Sequence, residues 1–369
     1  MTNREPLSLD IPVYDWPHAQ KQTWLVNRLN QLTLHHRAYC EPYQRLLSVL
    51  NTPELSHQRE DFYPLAVRLF KEKALKSIAD EEQFRVLTSS GTTSQQVSRI
   101  ILDKTTAGYQ SKALVRIMQE WLGRERRPML IIDHPGVIQD RTQFSARGAG
   151  IQGMLIFGRQ PVYALNEDLT PNWEVIDAFF ARWQQAPVLM FGFTFMVWQL
   201  IEKLHKAGKA LPDNGGVLIH SGGWKKLQDQ AVDNPTFKTA ARQHLGVGNI
   251  HNFYGMVEQV GSVFVECEHG HLHTPVFADV IIRDALTGQA LPAGATGVIE
   301  VLSALPESYP GHVLLTEDRG RWLGEDDCPC GRQGRYFEVA GRVPRAEVRG
   351  CSDTVATPSA PSPVAEAAV

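Results

Sequence analysis

The sequence lacks any run near the ~20 consecutive apolar residues that a membrane-spanning helix needs, and its opening, MTNREPLSLD, lacks the apolar core of a secretory signal. Both absences point to the cytoplasm. It also lacks a charge excess: 37 basic and 40 acidic residues are interspersed, leaving a formal net charge of -3. No basic block stands ready to pair with a phosphate backbone, which argues against nucleic acid as a partner. Cysteine is scarce and odd in number, five in 369 residues. Two of the five form Cys328-Pro-Cys330, a pattern that suits metal or thiol chemistry better than a disulfide framework. Internal repeats are absent, and so is the Gly-Lys-Ser/Thr ending of a Walker A loop.

What is present is enough apolar material for a full core, 43% of the residues, in one large domain or two of moderate size. Residues 1–80 read as a helical N-terminal layer, with helices over Lys21 to Leu34 and Arg37 to Leu50 and turn-rich interruptions at DIPVYDWP and DFYPLAV. Residues 81–250 alternate short apolar runs (RVLTSS, PMLIID, PVLMFGF, GVLIHSGG) with amphipathic helices near Thr105 to Leu122, Asn172 to Gln185 and Thr194 to Ala207. Strand, helix, strand at this spacing implies an α/β fold with a largely parallel sheet covered on both faces. Residues 251–350 are β-rich runs broken by Gly and Asp turns, as in a smaller antiparallel sheet packed on the first layer. Residues 351–369, small side chains and proline, read as a solvated tail that follows Cys351.

The chemistry gathers at a few stretches. The run Phe84 to Leu87 ends in Thr88, Ser89, Ser90, Gly91, Thr92 and Thr93, a strand feeding a loop of hydroxyls and exposed amides. Glycine lets such a backbone curl so that several N–H groups face one anion, although an ordinary polar turn has the same composition. HNFYGMVEQVGS places Tyr254 and Gly255 ahead of Glu258; an aromatic face packs on a base while a carboxylate recruits Mg²⁺. VLLTEDRGRW delivers Asp318 at a strand end, where it could accept from ribose hydroxyls, and AGRVPRAEVRG carries Arg342 just after a glycine. GFTFMVWQL, residues 192–200, supplies an apolar stripe that could hold an acyl chain or serve as helix core. CEHGHLH and CPCGR bring cysteines and histidines into the β-rich part.

In this order, TSSGTT, then Tyr-Gly-x-x-Glu, then Thr-x-Asp, then Gly-Arg resembles the adenylate-forming superfamily, over roughly Arg85 to Gly350. LIHSGGWKKL, NFYGMVEQVGS and GRVPRAEVRGCSD narrow the likeness to the phenylacetate-CoA ligase branch and, within it, to LuxE-type acyl-protein synthetases. The resemblance implies an adenylate-forming N-terminal domain of mixed sheets and flanking helices, with the superfamily's mobile C-terminal domain absent. It implies that Ser89, Ser90, Gly91, Thr92 and Thr93 grip the β- and γ-phosphates of ATP, and that Ser221, Gly222 and Gly223 line the adenine site beside Tyr254. Glu258 would hold Mg²⁺, and Asp318 with Arg342 would fix the ribose. Two departures are Ser94, where the superfamily loop has glycine, and Val-Pro-Arg-Ala, where an acidic hinge residue is usual.

Attack of a fatty carboxylate on the α-phosphate builds negative charge that a pre-arranged site must stabilise; Lys225, beside the adenine-site glycines, is the candidate for part of it. By resemblance the acyl group then passes to Cys351, whose thiolate Arg345 and Arg349 would favour, and onward to a reductase or transferase subunit. A structural Zn²⁺ would take four ligands, and the set chosen is Cys267, His273, Cys328 and Cys330, with His269 or His271 as substitutes; phenylacetate-branch ligases can carry zinc at this location. Two other readings remain open: a ligase of the phenylacetate type acting on coenzyme A, and a non-catalytic zinc-stabilised scaffold.

Overall fold

The structure, a computed structural model, describes residues 6–89, 97–138, 146–184, 186–224 and 229–343. Two helices open the chain, α1 (His18–Tyr39) and α2 (Glu41–Val49). They meet at Cys40, whose extended backbone ends one, while Pro42 starts the next. A two-residue strand, β1 (Leu65–Ala66), and one helical turn, α3 (Leu69–Glu72), lead to the hairpin β2 (Arg85–Thr88) and β3 (Arg99–Leu102).

From there the strand and helix alternation read from the sequence takes shape: α4 (Lys104–Leu122), β4 (Arg127–Ile132), α5 (Ala146–Met154), β5 (Gly158–Tyr163), α6 (Trp173–Arg182), β6 (Leu189–Phe193), α7 (Thr194–Lys206), β7 (Gly216–Ser221), α8 (Asn234–Leu245) and β8 (Val247–Tyr254). Local chemistry sets the boundaries. The Asp103 carboxylate accepts the Thr106 amide at 2.7 Å to cap α4, and Asp233 does the same for α8 at 2.8 Å from Thr236. α8 stops at Gly246, at φ 61°, where a Cβ would lie 2.3 Å from the Pro212 carbonyl oxygen. β6 and β7 are buried at every residue, as strands covered on both faces must be. The remaining strands are β9 (Phe264–Glu266), β10 (Leu272–His273), β11 (Ala278–Arg283), β12 (Gly297–Ser303), β13 (Val313–Glu325) and β14 (Arg335–Arg342).

The order β11-β12-β13-β14-β10-β9-β8-β7-β6-β4-β5, with β1 beside β13, makes one 12-stranded sheet among the described residues. This is the mixed α/β architecture expected, with two corrections. The β-rich part does not pack on the first layer as a separate antiparallel sheet; it continues the parallel sheet edge to edge, through antiparallel pairing of β8 with β9 at Phe253 and Tyr254. And the strand before the hydroxyl loop does not join the parallel sheet: among the described strands it pairs only with β3, antiparallel.

Buried ion pairs fasten the N-terminal layer to the β-rich half. Asp279, 1% exposed, receives Arg59 in a short bond and Lys21 at 3.5 Å; Arg59 reaches Glu325 at 2.9 Å, and Arg335 reaches Glu60 at 3.0 Å. Burial pushes the Lys21 ammonium down to about 8, with Asp279 pulling the other way. Removing one member would leave charge buried without compensation, a change that typically costs about 3–5 kcal/mol.

Two histidines are held neutral inside: burial pushes both His220, on β7, and His312, ahead of β13, down to about 3. Unfolded, each takes a proton near pH 6.5. The unfolded chain therefore binds more protons between those values, and stability falls as pH drops through this window, by up to about 1.4 kcal/mol per pH unit for each histidine. Urea unfolding followed from about pH 7.5 to 5 checks this; a flat profile contradicts it.

Candidate active site

Three parallel strands end level. Phe193, Ser221 and Phe253 are register partners at the C-terminal ends of β6, β7 and β8, the edge at which open α/β sheets bind ligands. Side chains lace the ends together: the Ser221 hydroxyl donates to the Phe253 carbonyl at 2.9 Å, and the Thr194 hydroxyl donates to the Ser221 carbonyl at 3.2 Å. Gly222 then turns at φ 82°, and a Cβ on Gly223 would face open space. Gly255 is confined, since a Cβ there would come 3.1 Å from Val263.

Tyr254, the last residue of β8, aims its hydroxyl at β13. It donates to Asp318 Oδ2 at 2.8 Å, while Arg342 Nε lies 3.4 Å from Asp318 Oδ1. Asp318 and Arg342 are paired directly across β13 and β14. Tyr254, Asp318 and Arg342, spread over 88 residues of sequence from first to last, thus form one polar chain. The Tyr254 ring stacks on Phe264 at 6.2 Å and meets Phe337 edge-on at 6.1 Å. Burial, and then the Asp318 carboxylate, hold its hydroxyl well above the usual phenol range.

Glu258 sits in a short 3-10 turn, Val257–Gln259, and is nearly buried. Burial raises its carboxyl, with Ser98 and Lys71 pulling the other way. Ser98 belongs to the stem of the hydroxyl loop: its amide donates to Ser89 Oγ at 2.9 Å, and the Ser89 amide donates to its carbonyl at 3.2 Å. The carboxylate and the loop stem are therefore neighbours. Ser90, Gly91, Thr92, Thr93, Lys225 and Cys351 lie outside the described residues.

Sequence reasoning missed the segment that holds Glu258 in place. The Tyr309 hydroxyl donates to the Glu258 carbonyl at 2.8 Å, and Gln259 Nε2 donates to the Gly311 carbonyl at 2.8 Å. Ser308 Oγ donates to Ile101 of β3 at 2.9 Å. The Pro310-Gly311 turn was the available signal, since it forces the chain back past the 3-10 turn. Also missed was a buried pair at the end of β4, Asp133 with Arg147 at 3.0 Å, flanked by His134; burial raises the Asp133 carboxyl and lowers Arg147. The 192–200 stripe is mostly core: Met196 and Val197 are fully buried, while Phe193 and Thr194 stand at the strand ends and Trp198 packs on Trp224 at 5.6 Å.

Away from these strand ends, Cys267, His273, Cys328 and Cys330 bring their ligand atoms within 4.8 Å of one another. Cys330 Sγ is 3.2 Å from His273 Nε2, and Cys267 and Cys328 are 4.0 Å apart. His271 instead stacks on Tyr336 at 4.8 Å, with Nδ1 3.3 Å from Cys328. Burial pushes the Cys328 thiol up to about 12 and His273 down to about 3. Three thiols and one imidazole at this spacing are a donor set that fits a tetrahedral metal ion. Gly270 and Gly331, at φ 86° and 81°, turn the chain at the two knuckles.

Comparison with known proteins shows the fold and the family. A 2-hydroxyisobutyryl-CoA ligase, solved in an open conformation with 2-HIB-AMP and CoA, superposes with a TM-score of 0.69 at 16% identity, covering 92% of this chain and 80% of that one. The same ligase in its postadenylation state gives 0.67, covering 93% and 73%. The fold is that of the adenylate-forming ligases. At the level of sequence, a long-chain-fatty-acid–luciferin-component ligase of Vibrio harveyi is 24% identical over 351 residues, 90% of this chain and 89% of that protein. Residues 3–358 match the acyl-protein synthetase family LuxE. The chain belongs to that family, and it is an ATP-dependent ligase.

Tyr254→Phe keeps the ring packing on Phe264 and Phe337 and removes only the hydroxyl that Asp318 accepts. We expect a loss of about 1.5–3 kcal/mol in urea unfolding, the range for a hydrogen bond to a charged group. A loss under about 0.5 kcal/mol would show that the bond adds nothing to the fold.

Proposed function

We propose that the protein activates a long-chain fatty acid as its acyl adenylate and passes the acyl group to a protein cysteine, Cys351. The observation that carries the reading is the convergence of Tyr254, Asp318 and Arg342 with Glu258 and the Ser89–Ser98 stem, in a chain of this family. The V. harveyi relative is named for a long-chain fatty acid, which supports the substrate class.

In this reading Ser89, Ser90, Gly91, Thr92 and Thr93 close on the β- and γ-phosphates of ATP. The adenine lies over Gly222 and Gly223 beside Ser221, Tyr254 and Gly255, and the ribose hydroxyls donate to Asp318, which Arg342 steadies. Glu258 would hold Mg²⁺, which supplies neutralising charge on the phosphates; Lys225 adds a second positive group. A fatty carboxylate oxygen attacks the α-phosphorus, a P–O bond forms, the bond to the β-phosphate oxygen breaks, and pyrophosphate leaves. The Cys351 thiolate then attacks the acyl carbon, and AMP departs with the electrons of the broken C–O bond. The thioester serves an acyl-accepting reductase or transferase subunit. Cys267, His273, Cys328 and Cys330 would hold a structural Zn²⁺ that pins the β9–β10 turn to the β13–β14 turn.

The test is incubation with Mg-ATP and an alkyne-tagged tetradecanoic acid. Hydroxylamine-sensitive label is expected on the wild type and not on Cys351→Ala, while both release pyrophosphate. Label retained by Cys351→Ala would place the acceptor elsewhere, and transfer to added coenzyme A without labelling would make the protein a CoA ligase. Glu258→Gln should slow pyrophosphate release by about a hundredfold or more. For the metal, elemental analysis should find zinc in the purified protein and lose it in Cys328→Ser, with a lower thermal midpoint; a zinc-free protein of unchanged midpoint overturns that assignment.

A further inference from the structure

A groove of about 310 Å³ crosses the sheet at the end opposite the proposed active site. Arg124, Arg126, Arg127, Arg159, Ala186 and Pro187 line it, with Glu125 its one acid. These residues precede or begin β4, β5 and β6, so the groove runs over the N-terminal ends of three neighbouring parallel strands. β4 is six residues long, and at about 3.3 Å per residue roughly 20 Å of sheet separates the groove from the site residues. A ligand here leaves the other end free.

The arginines have little to do for the fold. Arg126 makes one long bond, 3.4 Å, to the Leu155 carbonyl, and Arg159 lays its guanidinium 4.9 Å from the Trp183 ring. Arg182, beyond the rim, approaches the same ring at 5.0 Å. Among the described residues none of these five is paired with a carboxylate, whereas Arg28, Arg59, Arg283 and Arg335 all are. The C-terminal ends of α4 and α6 favour cations at Arg124 and Arg182. That effect does not extend to Arg126, Arg127 and Arg159, which stand at strand starts. In a chain of net charge -3, this density of unpaired guanidinium groups makes a local positive field.

We infer that this groove docks an extended acidic segment of a partner protein. β5 is the last strand of the sheet among the described residues, and its Arg159, Gln160 and Pro161 are exposed; Gln160 at φ 47° and Pro161, which has no N–H, interrupt the edge there, so recognition falls to the guanidinium groups. An extended peptide offers carboxylates at alternate positions, about 6.6 Å apart, each able to accept a forked pair of N–H groups from arginine. The closely spaced phosphates of a nucleic acid would meet Glu125. The inference does not depend on the acyl acceptor proposed above.

The experiment uses the full-length protein and a fluorescein-labelled octapeptide of alternating glutamate and threonine, followed by fluorescence anisotropy. Saturable binding is expected that weakens about tenfold or more in Arg126→Glu/Arg159→Glu and stays unchanged in Arg45→Glu, a charge reversal at a residue paired with Glu41 on α2. Pyrophosphate release, measured in parallel, should be the same in all three; were the wild type to release none, the adenylation reading would fail while the binding result stood. No peptide binding, equal weakening by Arg45→Glu, or capture of a single-stranded oligonucleotide or inorganic phosphate as tightly as the peptide would each overturn the inference.

Discussion

The site depends on one constraint: β8 is shared between two kinds of pairing. On one side it runs parallel to β7, which brings Tyr254 level with the Ser221-Gly222-Gly223 turn. On the other it pairs antiparallel with β9, and the sheet then continues through β10 and β14 to β13. A parallel array alone would end its ligand edge at β8. The reversal folds a second set of strands around that edge and puts Asp318 within 2.8 Å of the Tyr254 hydroxyl. The aromatic contact of Tyr254 with Phe264 and Phe337 is the apolar half of the same junction.

Around this junction the molecule is held by groups far apart in sequence. Arg59 and Lys21 come from the N-terminal layer, Asp279, Glu325 and Arg335 from the β-rich strands, and their charges are nearly all withdrawn from water. Such a network is costly to desolvate and adds little net stability over apolar packing. What it supplies is placement: each carboxylate accepts only from the cations that reach it, so α1 has one way to lie on the sheet. The Cys and His cluster lies at a shorter joint, between two hairpin turns.

Much of this was legible in the sequence where local chemistry decides the outcome. The alternation of apolar runs and amphipathic helices showed the parallel strands, because strands buried on both faces leave few polar residues. The motif order put Tyr254, Asp318 and Arg342 together, and the fold does bring them into contact, although Asp318 lies inside β13 and not at the strand end expected of it. Cys267, His273, Cys328 and Cys330, chosen together from the sequence, do lie together in the fold, where two knuckles with glycine at the turn leave little freedom. What stayed hidden was long-range pairing. Nothing local distinguishes β2 as half of an isolated hairpin, and nothing in Ser308 or Tyr309 announces that they would lie beneath Glu258. The arginines around the β4–β5 edge carry no local signal, because their separation from any carboxylate is a property of the fold.

The segment from Ala304 to His312 has a consequence for anyone wishing to make this catalyst smaller. Its Tyr309 holds the carbonyl of Glu258, its Pro306 carbonyl meets His36 at 3.2 Å, and its His312 shares a contact with Thr33 at 2.9 Å. The helices at the front of the chain therefore act as the back wall of the carboxylate's seat. Trimming them to reach a minimal nucleotide-binding core would remove the wall along with the bulk, so miniaturisation has to begin from the exposed loops and keep α1 whole.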